Sequence, residues 1–393
     1  MKYGTHPKFG VSAKDLQRGL QLVGSAVNTK DVPSPVLKNV MLTAREDNRL
    51  HLAMTDNMIS AQYEIACGVD EPGTILLEHG MALDIAKGSK LSNFEFSRSQ
   101  GQQRATVLCG GTTFRLSVTD PEMFPSIPEP VPGEFQVAVP VLNFLFQHST
   151  FAANKTEPYG VVTEAINIEI DEGEIVAIGT DGMRLAIARQ PWEGGALPPI
   201  VIPKRASQSI AMLTKQFASG EDVEKLDKVS IGEFEDALTF SFGDLFIRAL
   251  KQQQGFPIWR RVVPSITGRV QINIHPERLK EKIYYIAVMK GEAAVFTAQA
   301  GKFEIRENTV AGEAESDLPC VITPANEKAV TSLNAKHLLD YLGSLPRVAD
   351  DGVISMYVEL DSNSAGSKSI FFRFEDERGK CEYVQSRTRV NTD

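Results

Sequence analysis

Residues 174–188, Glu-Ile-Val-Ala-Ile-Gly-Thr-Asp-Gly-Met-Arg-Leu-Ala-Ile-Ala, read as two apolar strands joined at Asp181-Gly182. That dipeptide tolerates the positive φ angles of a tight two-residue hairpin turn. Residues 49–61, Arg-Leu-His-Leu-Ala-Met-Thr-Asp-Asn-Met-Ile-Ser-Ala, have the same build, with Thr-Asp in the same place and Asn57 where Gly182 stands. An echo about a third of the chain apart constrains the fold more than any single motif. It says that one supersecondary unit is used more than once.

The length of 393 residues suits two or three domains. At 42% hydrophobic and 23% charged, the composition is that of a globular protein with a sizeable core. No apolar stretch approaches the roughly 18 residues of a membrane span, and the Met1-Lys2-Tyr3-Gly4 start has no signal-peptide apolar run. Cys67, Cys109, Cys320 and Cys381 are scattered without CxxC or Cys/His spacing, so reduced thiols in a cytoplasmic protein are expected, with no metal or cofactor. A net charge of −9 argues against a body that is basic all over, while leaving room for local basic faces.

Three segments align by pattern. Each opens with a strand and an amphipathic helix. Ser12 is an N-cap ahead of Leu16, Leu20, Val23 and Val27; Phe135–Val139 leads to a helix with Leu142, Leu145 and Phe146 inward; Val270–Ile274 leads to a helix begun by His275-Pro276, with Leu279, Ile283, Ile286 and Ala287 on one side. A hairpin unit follows at residues 40–65, 166–189 and roughly 293–310, the third with its turn at Gly301. A second strand and helix come next: Thr74–Leu77 with Met81–Lys87, Pro199–Pro203 with a helix bearing Ala206, Ile210, Leu213 and Phe217, and Ala329–Leu333 with Asn334–Leu342. Two strands close each copy. Proline-rich connectors near residues 132 and 266 divide the chain into 1–132, 133–266 and 267–393. Each helix has one apolar face that must cover a sheet, so the class is α+β, with two helices per unit backed by antiparallel strands.

The wet helix faces carry Lys14, Arg18, Lys87, Lys90, Lys204, Arg205, Lys215, Arg278, Lys280, Lys282, Lys290 and Lys336. Acidic residues gather instead in loops and at strand edges, as in Glu169–Glu174 and Glu313–Asp317. Any solvated helix face carries lysines. A basic bias on most of six helices in an acidic protein points further, to a shared surface for a polyanion.

With Thr180–Ala186 in the middle copy, Phe256-Pro-Ile-Trp-Arg-Arg-Val-Val-Pro264 at its end, Pro35–Asn39 in the first and Asn334–Asp340 in the third, the chain resembles the bacterial DNA polymerase III β-subunit family over essentially its whole length. The resemblance implies three DNA-clamp domains per chain, closed as a head-to-tail homodimeric ring. It implies helices lining a hole around double-stranded DNA, held without sequence preference, and an outer wall of sheet. The DNA-facing set is then Lys14, Arg18, Lys30, Lys87, Lys204, Arg205, Lys215, Arg278, Lys282 and Lys336. It also implies a hydrophobic pocket between the second and third domains. There the polymerase III catalytic subunit, the clamp loader, and repair and translesion polymerases insert a short peptide. Carried over motif by motif, its wall is Val162, Thr180, Gly182, Met183, Arg184, Leu185, Pro257, Arg261, Val262, His337, Val384 and Ser386. Two features depart from the family pattern. Met183 replaces a His or Tyr, and the tail Val384–Asp393 is polar where an apolar, Met-rich end is usual.

Two other classes compete. A clamp-like paralogue would serve as an interaction platform with altered partners, as the polar tail suggests. A hydrolase would need a site that the motifs do not supply. The six histidines are scattered, Glu78-His79 lacks the second His of a zinc-protease helix, and Cys109-Gly110-Gly111 has no following P-loop Lys. Asp56 and Asp181 sit on turns, where a structural Asp is expected. No catalysis is expected.

Overall fold

The two Thr-Asp turns close through one shared set of hydrogen bonds, which explains their echo. Thr180 Oγ1 donates to the Arg184 carbonyl (2.6 Å) and accepts from the Gly182 amide (3.1 Å); Asp181 Oδ1 accepts from the amides of Met183 and Arg184, each at 2.9 Å. Thr55 and Asp56 make the same four bonds, to Ile59, Asn57, Met58 and Ile59. Gly182 (φ 85°) and Asn57 (φ 74°) hold the same left-handed position. The expected two-residue turn at Asp181-Gly182 is corrected by one position: Thr180 pairs with Leu185 and the Asp181 amide donates to the Arg184 carbonyl (3.3 Å), so Gly182 and Met183 form the tip, while the Asp181 carboxylate takes the Arg184 amide that would complete the closing pair. The expected third hairpin turn at Gly301 is corrected as well. Ala300-Gly301, both at positive φ between paired Gln299 and Lys302, matches Glu172-Gly173 between paired Asp171 and Glu174, and the third counterpart of the Thr-Asp turn lies at Thr309, whose Oγ1 donates to the Gly312 carbonyl and accepts from the Ala311 amide.

The computed structural model describes residues 4, 6–27, 29, 32–88, 93–99, 102–154, 164–219, 225–251, 255–348, 351–359 and 369–388. Six α-helices lie among them: α1 (Ala13–Ala26), α2 (His79–Gly88), α3 (Val139–Ser149), α4 (Lys204–Ser219), α5 (Pro276–Ala287) and α6 (Ala335–Ser344). Their starts follow local chemistry. Ser12 accepts from the Asp15 amide at α1, His275 from the Arg278 amide at α5 behind a Pro at the first turn, and Asn334 from the His337 amide at α6. Each apolar stripe turns inward, with Leu16, Leu20 and Val23 of α1 and Leu279, Ile283 and Ile286 of α5 buried.

The chain forms two compact units, Met1–Leu142 with Gln208–Lys251, and Asn143–Ser207 with Gln252–Asp393. All the strand pairings described are antiparallel. The first unit holds an eight-stranded sheet in the order Phe135–Ala138, Lys228–Phe234, Ala237–Phe242, Leu245–Leu250, Ile59–Ala66, Arg49–Thr55, Asn39–Ala44, Gly73–Glu78. It also holds a five-stranded sheet that ends at the edge strand Thr112–Ser117. The second unit holds a nine-stranded sheet in the order Ile200–Pro203, Ala165–Asp171, Glu174–Thr180, Arg184–Pro191, Gly379–Ser386, Ser369–Asp376, Ile354–Val358, Val270–Ile274, Val321–Thr323. A four-stranded sheet there ends at the edge strand Gly312–Pro319. One join is used twice. The last strand of a later repeat pairs with the hairpin return strand of the repeat before it, Ile247 opposite Ala61 in one unit and Tyr383 opposite Ala186 in the other. The large sheets therefore run across the connectors.

One core position breaks the pattern. Glu307, on strand Lys302–Thr309, is 1% exposed, and its carboxylate oxygens find no hydrogen-bond partner among the described residues. It packs against the backbone at Gly291, where an added Cβ would meet Glu307 Oε1 at 2.2 Å. Burial raises its pKa, so the folded chain holds the proton longer than the unfolded chain does. The resulting penalty is absent below the ordinary Glu value of about 4.3 and grows as pH rises towards the folded value. Glu307→Gln is expected to raise the thermal midpoint at pH 7 to 8, with the gain shrinking towards pH 4. A gain independent of pH would show that ionisation is not its cause.

Candidate functional site

In the second unit, the hairpin turn 181–183, the end of strand Gly379–Ser386 and the segment 257–269 surround a cavity of about 670 Å³. Register brings the first two together, because Leu185 stands opposite Val384 and the Ser386 amide donates to the Met183 carbonyl (2.9 Å). Beneath the cavity Val176, Ile178, Leu185, Ile187, Phe371 and Val384 form an apolar cluster, capped by Trp259. Ten of the residues named from the sequence line this cavity: Thr180, Gly182, Met183, Arg184, Leu185, Pro257, Arg261, Val262, Val384 and Ser386. His337 does not. It stands behind the wall, and its carbonyl accepts from the Tyr383 hydroxyl (3.1 Å) and from Arg184 Nη1 (3.5 Å). Val162, Lys30 and Lys90 lie outside the described residues.

The lining divides into fixed and open groups. Arg184 is fixed. Its side chain is 6% exposed, with Nε 3.0 Å from Asp181 Oδ2, Nη1 2.7 Å from Asp340 Oδ2 and Nη2 donating to the Phe151 carbonyl at 3.3 Å. Its guanidinium also lies 5.7 Å from the centre of the Phe151 ring. Burial works against its charge, but the Asp340 bond and the nearby acidic groups more than offset this and raise its pKa. Burial first, and the Arg184 charge second, lower the pKa of His337. Met183, Ile258 and Val262 form the open group, at 40%, 63% and 55% exposure. An apolar floor, an apolar rim and a pre-paired guanidinium suit a short peptide with aliphatic or aromatic anchors. Met183 is therefore part of the rim and does not fill local core.

Sequence reasoning missed Ile258, Trp259, Val263 and the far end of the cavity at Pro264, Ser265, Thr267, Gly268, Arg269, Glu359 and Ser369. Arg269 there is buried and bonds Glu359 (2.9 Å) and the Ser369 carbonyl (3.0 Å). Nothing in the local sequence pairs it with a glutamate ninety positions later. The polar tail also has a structural account up to Thr388. Buried Gln385 donates to the Asn334 carbonyl (3.0 Å) and accepts from the Tyr383 hydroxyl (3.0 Å), while the Thr388 amide and carbonyl both bond Ser332.

The predicted polyanion-facing residues that are among the described ones lie on helices and are exposed or half-exposed: Lys14 and Arg18 on α1, Lys87 on α2, Lys204, Arg205 and Lys215 on α4, Arg278 and Lys282 on α5, and Lys336 on α6. In the first unit α1 packs beside α2, and in the second α5 packs beside α6. Among the described residues no cluster of His, Cys, Asp or Glu is arranged to hold a metal, and no helix is long and apolar enough to cross a membrane. His51 is buried against Gln62 (3.0 Å); burial, aided by Arg45, lowers its pKa to about 4. All four cysteines are free thiols.

Residues 7–128 match the family described as DNA polymerase III beta subunit, N-terminal domain. The chain is 25% identical over 348 residues to the beta sliding clamp of Chlamydia muridarum, covering 85% of this chain and 89% of that protein. It is 26% identical over 361 residues to the beta sliding clamp of Synechocystis sp., covering 84% and 89%. Among solved structures, the DNA polymerase III subunit beta of Pseudomonas aeruginosa superposes with a TM-score of 0.83 at 22% identity, covering 98% of this chain and all of that one. The DnaN sliding clamp of Bartonella birtlesii, solved with griselimycin bound, gives 0.83 at 21% identity with the same coverage.

Proposed function

We propose that this chain, whose residues 7–128 match the DNA polymerase III β-subunit N-terminal domain family, works as a bacterial sliding clamp: a non-catalytic ring that encircles duplex DNA and tethers partners to it. The observation that carries this reading is the 670 Å³ apolar-floored cavity, set in a chain that follows clamp structures from end to end. In this reading the clamp domains are 1–132, 133–266 and 267–393. The replicative polymerase, the clamp loader and repair or translesion polymerases seat a peptide at the Met183, Ile258 and Val262 rim, in the bacterial cytoplasm. A sliding ring needs diffuse positive charge towards the phosphates and no grip on base edges, which suits lysines and arginines spread over helices.

Ring closure follows from the repeated join. The closing strand of the first repeat, Thr112–Ser117, is a sheet edge, and so is Gly312–Pro319, the hairpin return strand of the third repeat. Unpaired edges are liabilities that proteins cover. The first edge carries exposed Arg115, the second exposed Glu313, Glu315 and Asp317. Pairing the first edge of one copy with the second edge of another repeats the internal join, complements charge and, made twice, closes a head-to-tail dimer.

Light scattering is expected to give twice the monomer mass, and a fluorescent peptide carrying adjacent Leu and Phe is expected to bind saturably, with binding lost in Val262→Glu. A monomer at every concentration would contradict the ring. A dimer that binds no such peptide would favour the second reading, a clamp-like platform with other partners, for which the polar tail is the motive.

A further inference from the structure

We propose that Trp259, at the cavity wall, and Arg260, outside it, form a latch that holds the wall in its binding shape, which makes Arg260 a positioning residue for the peptide. The inference rests on the pocket reading above and adds a residue that lines no part of the cavity.

The wall segment has little backbone support of its own. Trp259–Arg261 is a three-residue 3-10 turn with two bonds, Arg261 N to the Ile258 carbonyl (3.3 Å) and Val262 N to the Trp259 carbonyl (3.1 Å). Ile258 on one side and Arg261 and Val262 on the other face the cavity. A rotation of one residue in so short a turn would carry all three away.

What fixes the turn is a charged continuation of the apolar floor. Side chains two apart share a face of a strand, so Leu185, Ile187 and Arg189 point the same way, as do Val384 and Glu382 on the neighbouring strand. Trp259 covers the line where floor gives way to charge. Its Nε1 donates to Glu169 (3.1 Å), and two guanidinium groups lie over its ring, Arg189 at 5.5 Å and Arg260 at 4.5 Å from its centre. Both arginines end on Asp171. Arg189 Nη1 reaches it at 2.8 Å and Arg260 through Nε at 3.1 Å and Nη2 at 2.7 Å; Arg260 Nη2 also meets Glu169 at 2.6 Å. Burial works to raise the Asp171 pKa, yet the two arginines hold it below the ordinary carboxylate value, so the anchor stays charged.

Arg260 is the part of this latch open to change, because its side chain is 51% exposed. Its planar fork stacks on the indole while bonding two carboxylates at once. A lysine ammonium has a charge but no such fork.

The test uses the full-length protein with Trp192→Phe, which leaves Trp259 as the only tryptophan. The probe is the fluorescent peptide with adjacent Leu and Phe. Arg260→Ala is expected to weaken its binding about tenfold and to raise acrylamide quenching of Trp259, while the particle mass stays unchanged. Arg260→Lys should fall between Arg260→Ala and the parent in both readouts. Parental affinity with parental quenching in Arg260→Ala would overturn the proposal. So would weaker binding with unchanged quenching, since Arg260 would then be touching the peptide itself. If the parent binds no peptide, the pocket reading falls, and quenching alone decides whether Arg260 holds the turn.

Discussion

Arg184→Ala is expected to destabilise the second unit by about 3 kcal/mol and to abolish peptide binding. The arginine is almost fully buried between Asp181, itself buried, and the half-exposed Asp340. Removing it leaves one carboxylate inside the protein without its counter-charge, and the cost of breaking a buried pair from one side is about 3 to 5 kcal/mol. The lower end applies because Asp181 keeps its bonds to the Met183 and Arg184 amides and Asp340 can turn to water. The Phe151 carbonyl also loses the Arg184 donor, while the His337 carbonyl keeps the Tyr383 hydroxyl. The turn that presents Met183 to the cavity hangs on the same carboxylate, so its position should go with the pair. Arg184→Lys should recover less than half of the loss, because one ammonium cannot span Asp181, Asp340 and two carbonyls. Denaturant unfolding and peptide titration check this. A variant as stable as the parent would mean that the paired guanidinium plays no part in shaping the pocket.

The second large effect belongs to DNA. Replacing Lys204, Arg205 and Lys215 of α4 with glutamine in both copies removes six positive charges. Each phosphate neutralised contributes about 0.9 to the slope of log affinity against log salt. If all six face the duplex, the slope falls by about 5, and affinity at low salt drops by well over tenfold. The dimer and peptide binding should be untouched, since none of the three residues lines the cavity. A salt slope equal to the parent's would take α4 off the DNA-facing surface.

The sequence carried the repeat because its signal is local chemistry. Thr55-Asp56-Asn57 and Thr180-Asp181-Gly182 recur because one four-bond turn needs those side chains in that order. The helix starts at Ser12, His275-Pro276 and Asn334 were legible for the same reason. Where the reading slipped, a side chain had taken over a backbone role, as when the Asp181 carboxylate took the Arg184 amide and the tip of the hairpin fell at Gly182-Met183. Strand Gly312–Pro319 gave no sign of itself, since an acidic edge with Gly and Pro at its ends has neither apolar alternation nor β propensity.

The pocket divides the same way. Its hairpin and C-terminal members were carried by motifs, whereas the Arg184–Asp340 and Arg269–Glu359 pairs join residues 156 and 90 positions apart, which no window along the chain can see. Trp259 was quoted as part of a motif. Its contact with two arginines became visible only once strands Ala165–Asp171, Arg184–Pro191 and Gly379–Ser386 stood in one sheet. His337 shows the converse, a motif residue whose backbone, not its ring, supports the site.

Direct imaging of the purified particle by electron microscopy puts the central claim to its plainest test. The expected image is a closed, two-copy annulus with helices around a passage wide enough for a B-form duplex. A solid particle, or a ring whose helices face outward, would contradict it.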